Sequence, residues 1–189
     1  KSSSSTSAMN DFSDLGIFKS NTNINNELLT LKSPTLMTEV VNRLGLNETF
    51  TIRKGLKNVD LYKVSPVTIT FCDKIEVPLS FTIKFSSKEA FAISELEISG
   101  EDIGETLSAQ MGDSIQTSAG IMIVSPTQEF TDAFIGTSIR YVRGSVRAAV
   151  DTYSNALVAE LGNEDATIIN LSINDTSIRK AEDILNTLI

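Results

Sequence analysis

The hydrophobic period of this chain changes along its length, and that change constrains the fold more than any other feature. Between Ser33 and Gly45 the apolar residues Leu36, Met37, Val40, Val41 and Leu44 recur at helical spacing. From Thr49 to Val124 the period falls to two, in Val67–Phe71, Phe81–Phe85 and Phe91–Ile98. After Pro126 the pattern becomes strand, helix, strand, helix. The expected fold class is therefore α+β: a mixed sheet with amphipathic helices packed on it, plus an inserted antiparallel β unit.

Local signals place the ends of these elements. Ser33 is a good N-cap, Pro34 suits the first helical position, and Gly45 supplies a left-handed stop. The resulting amphipathic helix is expected to pack on a sheet. Before it, Glu27, Leu28 and Leu31 predict a short helical turn or two. Pro66 and Pro78 punctuate strand ends, and Gly100, Gly104, Gly112 and Gly120 mark turns. Thr137 to Val142 reads as a strand. Ser145 caps a helix with the stripe Val146, Ala149, Val150, Tyr153 and Leu157, ended by Gly162. Ala166 to Ile173 reads as a strand, and Thr176 or Ser177 caps a last helix with Ile178, Ala181, Ile184, Leu185 and Leu188 inward. The chain is divided accordingly. Residues 1–25 form a loop or disordered segment, Ser-rich at its start. Residues 26–59 and 126–189 form an α/β base, and residues 60–125 the inserted β unit.

Composition removes several chemistries. Across 189 residues the net charge is −8, which argues against nucleic acid as the main partner because phosphate binding needs clustered Lys and Arg. His is absent, and with it the commonest general base and metal ligand. No G-x-S-x-G elbow and no P-loop occurs, no Ca²⁺ loop pattern is present, and no cofactor is expected. Glu95 and Glu97 share one strand face, with Glu101, Asp102 and Glu105 just beyond. The pair has the residue types of a glycosidase, but alternation of Ile and Glu also gives any half-exposed strand a solvated face, and that reading is preferred. Ser86, Ser87 and Lys88 read as a polar turn. Cys72 ends a strand and is expected to be a small semi-buried filler. Phe71, Phe81, Phe85 and Phe91 could form a carbohydrate-binding platform on the β unit, although their in-phase spacing suits a core better. Arg140, Arg143 and Arg147 stand out in an acidic chain. They are candidates for contact with an acidic polymer, lipid headgroups or another subunit, or else they pair with local acids.

Two stretches carry a resemblance. Asn26-Glu27-Leu28-Leu29-Thr30-Leu31-Lys32-Ser33-Pro34, running on to Leu44-Gly45-Leu46, resembles the N-terminal part of polysaccharide chain-length determinant (Wzz-type) domains. Ile168-Ile169-Asn170-Leu171-Ser172, followed by Ala181-Glu182-Asp183-Ile184-Leu185-Asn186, is similar to a later segment of the same family. The family usually has Pro where Ile178 stands, and a Ser cap can replace that start signal. The large β region resembles the insertion of exopolysaccharide tyrosine autokinases of the Bacteroides type. The resemblance implies a non-enzymatic extracytoplasmic scaffold on the periplasmic face of the bacterial inner membrane, with membrane helices outside this segment. It further implies homo-oligomeric rings, and control of capsule, exopolysaccharide or O-antigen chain length and export alongside the polymerase and export machinery. A chain beginning at Lys1 and closing inside a helical pattern fits a slice of such a parent.

Overall fold

The computed structural model describes residues 23–73, 75, 77–162 and 168–189. The Ser-rich start and most of the expected N-terminal loop lie outside them, as does the beginning of the expected strand at Ala166. The fold is α+β.

Helix α1 covers residues 23–31, so it begins ahead of the turn expected after Asn26 and takes residues 23–25 out of the loop, with Ile24 buried. Helix α2 (Pro34–Leu44) forms as its signals require. The Ser33 hydroxyl accepts from Thr35 N–H, Pro34 opens the first turn, and Gly45 closes the helix at φ 64°.

Nine strands then follow in order. They are β1 (Glu48–Lys54), β2 (Lys57–Asp60), β3 (Val67–Phe71), β4 (Leu79–Phe85), β5 (Ala90–Ile98), β6 (Glu101–Asp102), β7 (Leu107–Gln110), β8 (Ser114–Thr117) and β9 (Gly120–Pro126). Strand β10 (Ser138–Arg143) leads into α3 (Val146–Ala156), capped by Ser145, whose hydroxyl accepts from Ala148 N–H. Strands β11 (Leu157–Leu161) and β12 (Ile169–Ile173) precede α4 (Ile178–Leu188), capped by Ser177.

Every ladder between these strands is antiparallel, and one isolated parallel bridge joins Phe85 to Ile135. The largest sheet runs β2-β1-β10-β4-β5-β6, with β7 also on β5. Strand β10 lies between β1 and β4, so strands from both sides of the expected 60–125 unit share one sheet with it. Register lines up Ile52, Ile139, Ile83 and Ile93 across four strands, with Phe50, Tyr141 and Phe81 in an adjacent row. Two residues apart on each strand, these rows face the same side. They share a core with Val67, Ile69, Ile115, Met122 and Val124 of the three-stranded sheet β3-β9-β8. Each such buried side chain contributes about 1.5–3 kcal/mol relative to exposure.

A second core is separate. Met37, Val40 and Val41 of α2 meet Val150 of α3, Leu157 of β11, and Ile184 and Leu188 of α4. Helix α2 therefore buries its stripe mainly against two other helices rather than on the large sheet. Leu157 leaves the expected helical stripe because α3 ends at Ala156. Leu157 and Ala159 are buried on one face of a strand, while Val158 and Glu160 point to solvent. Gly162 is not a helix stop; its N–H bonds Ile168 O in the β11–β12 connection. On α4, Ile178 is 78% exposed, and Lys180 joins Ile184 and Leu188 in the buried stripe at every fourth position. Among the described residues no helix is long and apolar enough to cross a bilayer.

Candidate functional site

The arginine triplet does not converge. Arg140 and Arg143 are three apart on β10, so they project from opposite faces of the sheet. Arg140 lies on the polar face. Its Nη2 donates to Glu97 Oε2 and to Ser80 Oγ, both at 2.9 Å, and its Nη1 reaches Glu95 Oε2 at 3.4 Å. Arg143 turns the other way, 3.5 Å from Glu48 Oε1 and over the Phe71 ring at 5.0 Å from its centroid. Arg147 is exposed in the first turn of α3. Local acids thus take up two of the three charges.

A β-bulge brings the two candidate carboxylates to Arg140. In β5 the buried positions are Phe91 and Ile93, then Leu96, so the alternation slips by one residue. The register slips at the same place, from Thr82 opposite Ser94 to Ser80 opposite Glu97. Glu95 sits in this slip at φ 54°, a left-handed conformation that an L residue adopts only at a cost. Thr82 Oγ1 donates to Glu95 at 2.7 Å and Ser80 Oγ to Glu97 at 2.9 Å. The Ser80 bond and then Arg140 hold the Glu97 carboxyl below its ordinary range, the reverse of what a general acid needs. Glu101 and Asp102 form β6, and Glu105 accepts from Ser118 N–H in a turn.

The remaining sequence candidates take ordinary turn, surface and core positions. Ser87 Oγ accepts from Glu89 and Ala90 N–H in the β4–β5 turn, and Lys88 pairs with Asp132 at 2.9 Å. Cys72 is exposed, not semi-buried, because it falls just past the end of β3. Phe81, Phe85 and Phe91 are buried in the sheet core and Phe71 packs at its edge, so they form no exposed stacking surface.

A second site lies where the two cores meet. A pocket of about 280 Å³ opens between the C-terminus of α2, strands β1 and β2, the 60–68 segment and Thr127–Glu129. Leu44 and Phe50 supply an apolar wall, with the buried Leu61 and Val67 behind it. Glu48, Asp60 and Glu129 bring carboxylates, and Lys63 an ammonium. Burial pushes the Glu48 carboxyl up, against the pull of Arg143.

Behind the 60–68 segment is a crossed pair of ion pairs. Asp60 is held by Lys180 of α4, and Lys63 lies 2.6 Å from Asp183, one turn further along the same helix. The two pairs have opposite polarity. Tyr62 stands between their partners in sequence, and the Lys63 and Lys180 ammonium groups lie 5.5 and 5.3 Å from its ring centroid. Asp60 Oδ1 also accepts from Tyr62 N–H at 3.0 Å, which fixes the turn. Lys63, at φ 57°, is left-handed like Glu95. Burial alone would depress Lys180, but Asp60, with Tyr153 and Asp175, outweighs it and raises the ammonium above its ordinary value. The Lys63 hydrogen bond holds Asp183 below the usual carboxylate range. Leu44, Gly45 and Val67 stood out in sequence only as helix and strand positions, and none of the charged lining residues stood out. The one signal was Asp60-Leu61-Tyr62-Lys63, two charges flanking a Tyr just before Pro66, and it has no period.

No protein-family model matches this chain, and a search of curated proteins finds no match.

Proposed function

We propose that this chain is a non-enzymatic extracytoplasmic scaffold domain of a polysaccharide chain-length determinant, acting as a homo-oligomer through its parent membrane protein. One observation carries the reading. The two stretches that resemble the family, residues 26–46 and 168–189, lie at opposite ends of the chain and meet in one core. Met37, Val40 and Val41 of the first pack in the cluster that holds Ile184 and Leu188 of the second, with Ile173 at its edge. A resemblance limited to short helical patterns would not require the two stretches to be neighbours. The large β region, joined to this unit by ion pairs, is then the part that faces polymerase, export machinery or polymer.

The test is an exchange. Residues 23–189 of the parent are replaced by the corresponding segment from a determinant of different modal length, and the polymer is resolved by gel. The modal length should follow the segment. An unchanged length distribution, with the chimera inserted and folded, removes the reading.

A further inference from the structure

We infer that the pocket between α2, β1–β2 and the 60–68 segment binds a single amino-sugar residue of the polysaccharide, an inference that rests on the scaffold reading and names its ligand class. Size comes first. About 280 Å³ is just below the range of about 300–1,000 Å³ that takes drug-sized ligands, so the pocket suits one pyranose ring and not an oligosaccharide.

Lining chemistry comes second. The half-buried Leu44 and Phe50 present apolar surface suited to the C–H face of a sugar ring, while Glu48 offers an acceptor for hydroxyl groups. Charge then selects among sugars. Glu48 is answered by Arg143, Asp60 by Lys180, and Lys63 by Asp183. Glu129 at the rim has no ion pair among the described residues, so the pocket carries an uncompensated negative charge. That charge attracts an ammonium and repels a uronate.

The experiment is an amide-resolved NMR titration of the chain with the methyl glycosides of glucosamine, glucose and glucuronic acid, with methylammonium as a control for the bare cation. Saturable shifts confined to residues 44–50, 60–68 and 127–129 are expected, in the order glucosamine, glucose, glucuronate. Glu129→Gln should reduce the preference for glucosamine over glucose by about threefold, the strength of one exposed ion pair. Thr68→Trp places a bulky ring on an exposed position of the pocket wall and should abolish binding by all three sugars. No saturable shift at these residues up to about 50 mM, weaker than almost any specific site, overturns the proposal. So does glucuronate binding best, methylammonium matching glucosamine, or an undiminished preference in Glu129→Gln. If the titration is blank while modal length still follows the exchanged segment, the sugar site falls and the scaffold reading stands.

Discussion

Lys180 of α4 and Asp60 of β2 form a buried ion pair that ties the helical core to the large sheet. Their side chains are only 7% and 15% exposed. Two apolar cores lie on either side, yet the residues that join them are charged. A charge removed from water costs several kcal/mol, so such a pair holds only when both partners are present. It fixes one docking geometry because the Asp60–Lys180 and Lys63–Asp183 contacts have opposite polarity. Shifting α4 by a turn would place like charges together.

Breaking one partner is therefore expected to cost more than removing both. Asp60→Asn keeps an acceptor for Tyr62 N–H but leaves Lys180 buried without its counter-charge. Urea unfolding should show a loss of about 3 kcal/mol. Adding Lys180→Met should restore most of it. A double variant as unstable as the single one would show that the pair contributes net stability, contrary to this account.

Alkali should weaken the fold in two parts. The Lys180 ammonium is raised above 10.5 in the folded state, so its contribution is complete below that value and is lost as pH rises through the folded one. Tyr62, Tyr141 and Tyr153 are also raised above 10.0, chiefly by burial, and their protons are lost first from the unfolded chain. Both effects have the same sign: stability falls above about pH 10. In Lys180→Met the tyrosine part should remain and the slope should decrease. Thermal unfolding across pH 8 to 12 measures it, and an unchanged slope would assign the whole effect to the tyrosines.

The bulge residue Glu95 should reverse ordinary strand preference. At φ 54°, Glu95→Gly loses exposed contacts to Thr82 and Arg140 but relieves the backbone, while Glu95→Val loses the same contacts and forces a β-branched residue into the left-handed region. The glycine variant should be the more stable by about 2 kcal/mol in chemical denaturation. Strand propensity alone favours valine, so the sign of the difference decides between the two.

Ile184 is fully buried among α2, α3 and β11. Ile184→Ala should cost about 3 kcal/mol through lost burial and a residual cavity. Hydrogen exchange should rise in α2 and α4 before it rises in β4 or β10, because the two cores are separate.

The helix caps were legible because each rests on bonds within a few residues: Ser33, Ser145 and Ser177 each accept from an N–H two or three positions on. Strand alternation was equally direct in β3 and β4. Leu157 misled because it fits both the helical stripe from Tyr153 and the strand face it shares with Ala159. Ile178 misled because apolar character alone put it inward. The slip in β5 was written in its own pattern, Phe91 and Ile93 followed by Leu96.

By itself, the sequence determined the α+β class, most elements and their caps, and which strand faces are apolar, since these depend on contacts a few residues apart and on period. Tertiary structure alone decided that β10 separates β1 from β4, that Arg140 meets Glu95 and Glu97, and that Asp60 meets Lys180. Those pairings close loops of many residues, and their energy lies in burial and charge compensation between partners that no local pattern connects.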